Sequence, residues 1–186
     1  MTNYLPESGE QKAGSGKRNA LALSALRSPL LLLVVPLLYL ATLAQTPLLG
    51  DPSEFTTVAH VLGVAHPPGY AFITVLGKLF QTLLPVGSVA WRMHWLSAVV
   101  STAGLLCVFG IVRTVTAVSN IPPRFGALAG LFAALTIGTA ADHWQHSIHA
   151  NPHIITATFT AANLYFLTKW WAANTPSPHH PITPSP

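Results

Sequence analysis

The stretch WRMHWLSAVVSTAGLLCVFGIVRTV, residues 91–115, decides the class of fold. Within it, residues 92–112 form a mainly apolar segment that is long enough to cross a lipid bilayer as a helix, which takes about 20 residues. Trp91 and Trp95 are side chains of the kind that anchor a helix at the membrane interface, and Arg113 follows the segment at its other end. The stretch therefore predicts a membrane-spanning helix.

The composition of the whole chain supports the same prediction. Of its 186 residues, 51% are apolar and 8% are charged, whereas about a quarter of the residues of a soluble domain are charged. The chain has room for about four spanning helices and for no sizeable soluble domain beside them. Its nine basic residues are scattered, so no nucleic-acid partner is expected. Cys107 is the single cysteine, which excludes an intramolecular disulfide.

Four apolar segments are predicted to cross the membrane, within an all-α membrane domain at 28–171. They lie at 29–50, 92–112, 126–141 and 154–171. The first follows several basic residues, but its length and the lack of a small-x-small cleavage site predict a retained anchor rather than a cleaved signal. The third is rich in Gly and Ala, which favour close helix packing and assembly with other membrane subunits.

The remaining segments are predicted to lie outside the bilayer core. Residues 51–90 form an outer loop with an amphipathic helix at 71–87, because Lys78 interrupts the apolar pattern there and a lysine near mid-bilayer costs several kcal/mol. A full crossing is the alternative for that helix. Residues 1–27 are expected to be a disordered basic tail and residues 172–186 a Pro/Ser-rich tail.

The basic residues predict the orientation, because short cytoplasmic loops carry the excess of Lys and Arg. Four precede the first span, and the later spans are flanked by Arg113, Arg124 and Lys169. The loop at 142–153 has none. Both termini are therefore expected in the cytoplasm, with 51–90 and 142–153 on the extracytoplasmic or lumenal side and with Lys78 and Arg92 as exceptions.

An acid pair, Asp51 and Glu54, directly follows the first predicted span and holds two of the five carboxylates of the chain. One interpretation is a capping box at the start of a short helix, in which Asp51 caps the helix, Pro52 occupies its first turn and Glu54 reaches back. The other is chemistry, since a carboxylate that is partly desolvated at a membrane surface becomes a better proton acceptor. The pair alone leaves both open.

Four motifs occur in one order along the chain: G-D-x-x-E-F from residue 50, AHVLGVAHPPGY at 59–70, L-x-P-x-G-S-V-A-W-R at 83–92, and W-Q-x-S at 144–147. Together they closely resemble the membrane domain of the transmembrane-protein-260-like glycosyltransferases, which include protein O-mannosyltransferases. The resemblance covers about residues 28–171. It implies a fold of the GT-C type, a helical bundle of several spans whose active site lies in the first outer loop.

The resemblance also implies roles for individual residues. Asp51 corresponds to the catalytic base and Glu54 to its acidic neighbour, and Arg92 becomes a candidate partner of the donor phosphate. Arg92 equally suits a helix end anchored at the headgroups. The other substrate-binding candidates lie in the loop and in the W-Q-x-S motif: His66, Pro67, Pro68, Gly69, Tyr70, Trp144 and Gln145.

The function implied by the resemblance is transfer of a sugar, with mannose as a candidate, from a polyprenyl or dolichyl phosphate to a protein or glycan acceptor. The chain would lie in the bacterial inner membrane or in the endoplasmic reticulum membrane, in contact with membrane lipids, and no cofactor is required. Two departures from the family pattern are the missing loop glycine in Asp51-Pro52-Ser53-Glu54 and Asn151 in place of an acid. The lost acid, together with a length much shorter than that of family proteins, favours an alternative, a catalytically inactive membrane scaffold or lipid-binding protein.

The histidines of the second outer loop support a third hypothesis, a metal carrier. His143, His146, His149 and His153 recur every three or four residues, and imidazole is a ligand for zinc, copper, iron and nickel. Because Pro152 limits the helix and no cysteine assists, we expect instead that these histidines are satisfied by water and backbone groups, and no metal site is assigned.

Overall fold

The computed structural model describes residues 33–175, which fold into helices joined by short connections without a strand in that range. The seven helices of this range are α1 (Val34–Ala41), α2 (Asp51–Val61), α3 (Ala71–Leu83), α4 (Val89–Val118), α5 (Pro123–Thr139), α6 (Ala141–Ser147) and α7 (Pro152–Asn174). The all-helical prediction is thus confirmed for the described range. The tail predicted at 1–27 and residues 176–186 of the C-terminal tail lie outside it.

Helix α4 contains the predicted span at 92–112 and is the longest helix of the described range. It has 30 residues, and the Ser88 side chain caps it by accepting a hydrogen bond from the Trp91 amide at 3.1 Å. Between residues 33 and 175, it alone is long and apolar enough to cross a membrane by itself. Helices α5 and α6 make a second candidate only if the pair, bent by 71°, is taken as one broken span.

The four predicted spans are therefore not confirmed as a set. Helix α1 ends at Ala41, and residues 42–50 are not helical although the first span was expected to continue to residue 50. Pro47 disfavours helix in the residue before it, which helps to explain the non-helical segment. Helix α7 covers the fourth predicted span and has 23 residues, but its threonines, asparagines and Lys169 interrupt the apolar sequence.

Helices α5 and α7 pack along α4 at glycines. A Cβ at Gly104 would lie 2.8 Å from Thr158 Oγ1, and one at Gly130 would lie 2.9 Å from the Phe109 ring. Since Gly104 meets Thr158 and Gly110 meets Tyr165, α7 runs in the same direction as α4. Small residues let helix backbones approach closely, which is how membrane helices gain packing energy without a hydrophobic driving force.

The outer loop predicted at 51–90 is a helical hairpin made of α2 and α3. The predicted amphipathic helix is present as α3, and its buried side combines Ile73 with Thr74, Gly77 and Gln81. Apolar side chains, including Val75 and Leu79, are exposed on the other side. Exposed apolar side chains of this kind suit a lipid-facing position.

Two apolar clusters hold these parts together. The first joins α1, α4 and α5 and contains Val35, Tyr39, Leu43, Ala98, Leu105, Phe109, Leu131 and Ala134. The second joins the α2–α3 hairpin to α4 and to the start of α7, and contains Phe55, Ala59, Ala65, Ile73, Met93, Leu96, Ala150, Ile154 and Ile155. The second cluster therefore packs the α2–α3 hairpin against Ala150, which lies just before α7.

The close contact at Gly104 leads to the first prediction. The Gly104→Val variant should lower the free energy of unfolding by about 1–3 kcal/mol, because the new side chain must displace the backbone of α7 at Thr158. Thermal unfolding of the purified chain in detergent measures the effect. The control is Ala103→Val, which adds a comparable side chain at an exposed position of the same helix; equal loss in both variants would contradict close α4–α7 packing.

Candidate functional site

The candidate site begins at the first residue of α2. Gly50 precedes it with a φ of +82°, a conformation that glycine adopts without steric cost, and Pro52 lies in the first turn. No side chain caps the start of α2, and the Glu54 carboxylate points away from it to a residue of the following loop. The capping-box interpretation of the acid pair is therefore wrong.

Glu54 binds His66 with both carboxylate oxygens. The His66 backbone amide donates to Oε1 at 2.6 Å, and the His66 Nδ1 lies 2.8 Å from Oε2. The chain returns to Glu54 because Leu62 adopts a left-handed conformation at the end of α2 and the Gly63 amide bonds to the Val58 carbonyl at 2.9 Å. Glu54 therefore holds the loop that follows α2 against the start of the same helix.

The HPPG sequence forms the turn that closes this loop. The Gly69 amide donates to the His66 carbonyl at 2.8 Å, with the Pro67–Pro68 peptide bond in the cis form. Tyr70 follows and precedes the first residue of α3. The predicted rigid turn thus lies directly between His66 and Tyr70.

Asp51, Glu54 and His66 converge at one point. Each offers one ligand atom, and these atoms all lie within 4.8 Å of one another. The i, i+3 spacing within α2 puts both acids on one helix face, whereas the approach of His66 depends on the loop. Two carboxylates and an imidazole are a set of groups that could hold a divalent cation; sequence reasoning had not grouped the three as ligands.

An aromatic wall stands beside this cluster. The Phe55 and Tyr70 rings lie 5.0 Å apart in an edge-to-face arrangement, and the His66 ring lies 5.8 Å from Phe55 and 5.3 Å from Tyr70. Phe55 is buried in the second apolar cluster, so it anchors the wall. Edge-to-face contacts of this kind contribute about 0.5–1.5 kcal/mol each beyond the area that they bury.

Arg92 lies outside the cluster and donates to backbone carbonyls. Its guanidinium group bonds to the carbonyls of Val86, Gly87 and Gln81 at 3.0 to 3.3 Å. These bonds close the turn between α3 and α4. The phosphate role implied for Arg92 stays a prediction.

The W-Q-x-S motif fastens α6 to the bundle. Trp144 Nε1 donates to Thr42 Oγ1 at 2.9 Å, and the Ser147 hydroxyl donates to Ser101 Oγ at 2.8 Å. Ser101 Oγ also lies 2.9 Å from His143 Nε2. Gln145 is exposed. No contact of Trp144 or Gln145 with the acid cluster is present in the described range, so their substrate role also stays a prediction.

The histidines of the second outer loop do not converge on a metal site. Rings of His146 and His149 lie 5.6 Å apart and those of His146 and His153 lie 6.1 Å apart, yet in residues 33–175 only the Asp51, Glu54 and His66 group brings three ligand atoms together. Asn151 Nδ2 lies 2.8 Å from His146 Nδ1, and Asn151 Oδ1 accepts from the His153 amide at 2.7 Å.

Asn151 is thus the cap of α7, a role that sequence reasoning missed. The sequence contains the pattern that predicts this role, because Asn followed by Pro is a common start of a helix. Asn151 had been interpreted as the replacement of an acid. The structure gives this side chain a local function that a carboxylate could also perform at the helix start.

The electrostatics of the cluster favour an ionised Glu54. The hydrogen bond from the His66 backbone amide lowers the pKa of the Glu54 carboxyl below its ordinary value, and the bond from the His66 ring acts in the same direction. Asp51 has no hydrogen-bond partner for its side chain in the described range. The site therefore combines one immobilised carboxylate with one that is available to a ligand.

Residues 51–181 match the family model described as the protein O-mannosyl-transferase TMEM260 N-terminal domain. The chain belongs to this family. The match begins at Asp51 and covers the acid pair, the HPPG turn and helices α2 to α7. The resemblance inferred from the four motifs is thereby confirmed.

Two relatives carry the same name. The chain is 36% identical over 146 residues to protein O-mannosyl-transferase TMEM260 of Mus musculus. These residues make up 77% of this chain and 19% of the mouse protein. It is 31% identical over 124 residues to the protein of that name in Dictyostelium discoideum. These residues make up 66% of this chain and 14% of that relative. The chain thus spans no more than a fifth of the length of these relatives. No solved structure matches it.

The Glu54–His66 contact predicts a dependence of loop stability on pH. The pKa of Glu54 is lowered in the folded protein, so the ionised carboxylate stabilises the loop. This stabilisation is fully present above the ordinary pKa of 4.5, and it is lost as the pH falls below that value through the pKa of the folded state. Protection of the His66 amide from hydrogen exchange, corrected for the intrinsic rate, should therefore fall in acid.

Matched variants test the cause of this dependence. Glu54→Gln should weaken the protection of the His66 amide at neutral pH and abolish its change in acid, since the charged acceptor is gone. Asp51→Asn removes a neighbouring carboxylate that does not bond to His66 and should leave the protection unchanged. If Asp51→Asn reduced the protection as strongly as Glu54→Gln, the assignment to the Glu54 contact would fail.

Proposed function

We propose that this chain is a membrane glycosyltransferase, or the N-terminal part of one, that transfers a sugar from a polyprenyl or dolichyl phosphate to a protein or glycan acceptor. The names of the relatives make mannose the first candidate for the sugar. The observation that carries the proposal is the convergence of Asp51, Glu54 and His66 within the family's N-terminal domain. The cluster lies at the outer end of the helix bundle.

Asp51 is proposed as the catalytic base. Its side chain is exposed and has no bonded partner in the described range, so it is free to accept the proton of an acceptor hydroxyl. As that oxygen attacks the anomeric carbon, the bond between this carbon and the phosphate oxygen breaks and the lipid phosphate leaves with the electron pair. The proton passes to Asp51, and displacement from the opposite side inverts the anomeric configuration.

Glu54 is proposed as a positioning residue. Both of its oxygens bond to His66, so it fixes the imidazole and the loop instead of taking the proton itself. With Nδ1 engaged by Glu54, Nε2 is the ring nitrogen of His66 that is left to contact a substrate.

The aromatic wall is proposed to receive the sugar. The rings of Tyr70 and His66 form its accessible part, because Phe55 is buried behind them. The apolar C–H face of a hexose packs on aromatic rings, while its hydroxyls remain free to bond to polar groups. Pro67, Pro68 and Gly69 set the position of the wall through the turn that joins its two members.

The membrane arrangement is part of the same proposal. We place the chain as a multi-pass protein with both termini in the cytoplasm, in the bacterial inner membrane or the endoplasmic reticulum membrane. Helix α4 has the length and apolar composition for one crossing, and the basic residues at its far end favour the cytoplasmic side there. The donor and acceptor would then meet the acid cluster on the opposite side.

A second candidate is an inactive scaffold or lipid-binding protein of the same family. It is favoured by Asn151, which caps α7 where the resemblance implied an acid. In that case Glu54 and His66 would serve only to hold the α2–α3 hairpin.

Sugar transfer tests the proposal. The chain, reconstituted in liposomes with a radiolabelled polyprenyl-phosphate mannose and an acceptor peptide, should transfer label, and Asp51→Asn should reduce the rate by about 100-fold or more because the proton acceptor is lost. Asp142→Asn is the control, since Asp142 is an exposed acid at the start of α6.

Retained activity in Asp51→Asn would remove this residue from the mechanism. Absence of transfer by the folded parent chain would favour the scaffold. Circular dichroism of each variant distinguishes either result from a loss of folding.

A further inference from the structure

The acids of the described range all lie at one end of the helix bundle. Within residues 33–175 the acids are Asp51, Glu54 and Asp142, which lie at the starts of α2 and α6. Arg113 lies near the end of α4 and Lys169 near the end of α7, which runs in the same direction. These two cations therefore meet at the end of the bundle that is opposite to the candidate active site.

A cleft of about 620 Å³ lies between α4 and α7 at this end, and both Arg113 and Lys169 line it. Its remaining walls include Phe109 and Tyr165. Gly110 allows the Tyr165 ring to approach α4, because a Cβ at this position would lie 2.5 Å from the ring. The cleft therefore combines two cationic side chains with an aromatic and apolar interior.

The two cations have no acidic partner in the described range. The ion pairs there join His66 to Glu54 and His146 to Asp142, both at the other end of the bundle. Arg113 instead lies 5.7 Å from the centre of the Phe109 ring, a cation–π contact that leaves its N–H donors available. Two cations that line one cleft without a carboxylate repel each other. An anion bound between them would offset the free-energy cost of this repulsion.

We propose that this cleft binds the phosphate headgroup of an anionic phospholipid in the leaflet opposite to the candidate active site. Arg113 can present paired N–H donors to phosphate oxygens, and Lys169 adds a point charge. Basic pockets between membrane helices on the cytoplasmic side are suited to such headgroups. The site differs from that of the sugar donor, since the donor phosphate would leave beside Asp51 at the other end.

The apolar part of the cleft favours a lipid over a free phosphate ion. Leu106 lines the cleft about two helical turns from Arg113, further into the bundle, and is 48% exposed. The glycerol and first methylenes of a lipid would cover this surface, and their removal from water would add to the binding energy. A free phosphate ion would gain only the contacts with Arg113 and Lys169.

Native mass spectrometry of the detergent-solubilised chain tests the proposal. Phosphatidylglycerol should bind more tightly than phosphatidylcholine with the same acyl chains, and Lys169→Gln should weaken phosphatidylglycerol binding about fivefold, since each basic side chain near a headgroup contributes about that factor. Lys169 is exposed, so this variant is expected to fold. The double variant Arg113→Gln/Lys169→Gln should lose about 30-fold.

Arg124→Gln is the matched control. Arg124 lies in the first turn of α5 at the same end of the bundle but outside the cleft, so its removal changes the net charge equally and should leave affinity within twofold. Equal losses in Lys169→Gln and Arg124→Gln, or equal binding of the two lipids, would overturn the proposal. Complete displacement of phosphatidylglycerol by millimolar inorganic phosphate would also overturn it, in favour of a site for a free anion.

Discussion

Close contact with α4 is the constraint on which the rest of the bundle depends. Helices α5 and α7 reach it at Gly130 and Gly104, where a larger residue would meet the Phe109 ring or Thr158. In a membrane, apolar burial between helices gains little over contact with lipid, so shape and small residues determine which faces meet. The direction of α7 along α4 then decides which loops lie at the same end of the bundle.

That arrangement explains how the candidate site is supported. The hairpin of α2 and α3 packs on α4 and on the start of α7 through one apolar cluster, and Glu54 locks the connecting loop by binding His66 twice. The site therefore lies on a well-packed apolar cluster. The Glu54 carboxylate is bonded to His66, and the Asp51 carboxylate is exposed.

Several features of the fold were predictable because they depend on nearby residues. The apolar length around Leu105 predicted α4, the Pro and Gly residues of the HPPG sequence predicted a turn, and Asp51 with Pro52 predicted the start of a short helix, which is α2. Other features depended on distant contacts. Helix α5 bends into α6 near the point where the Tyr39 hydroxyl donates to the Gly138 carbonyl at 2.7 Å. The two residues are 99 positions apart, so no local residue pattern predicted this contact.

By itself, the sequence determined the helical class, the family through its ordered motifs, and the identity of the acids that could carry chemistry. These follow from composition and from spacing along one helix, which are local properties. Only the tertiary structure decided that Glu54 reaches forward to His66 instead of back to its own helix, that Arg92 closes a turn, and that Arg113 and Lys169 share a cleft. Each of these three contacts depends on the path of the chain between residues that are distant in sequence. Which partner a side chain binds is determined only when folding has brought the competing partners within reach.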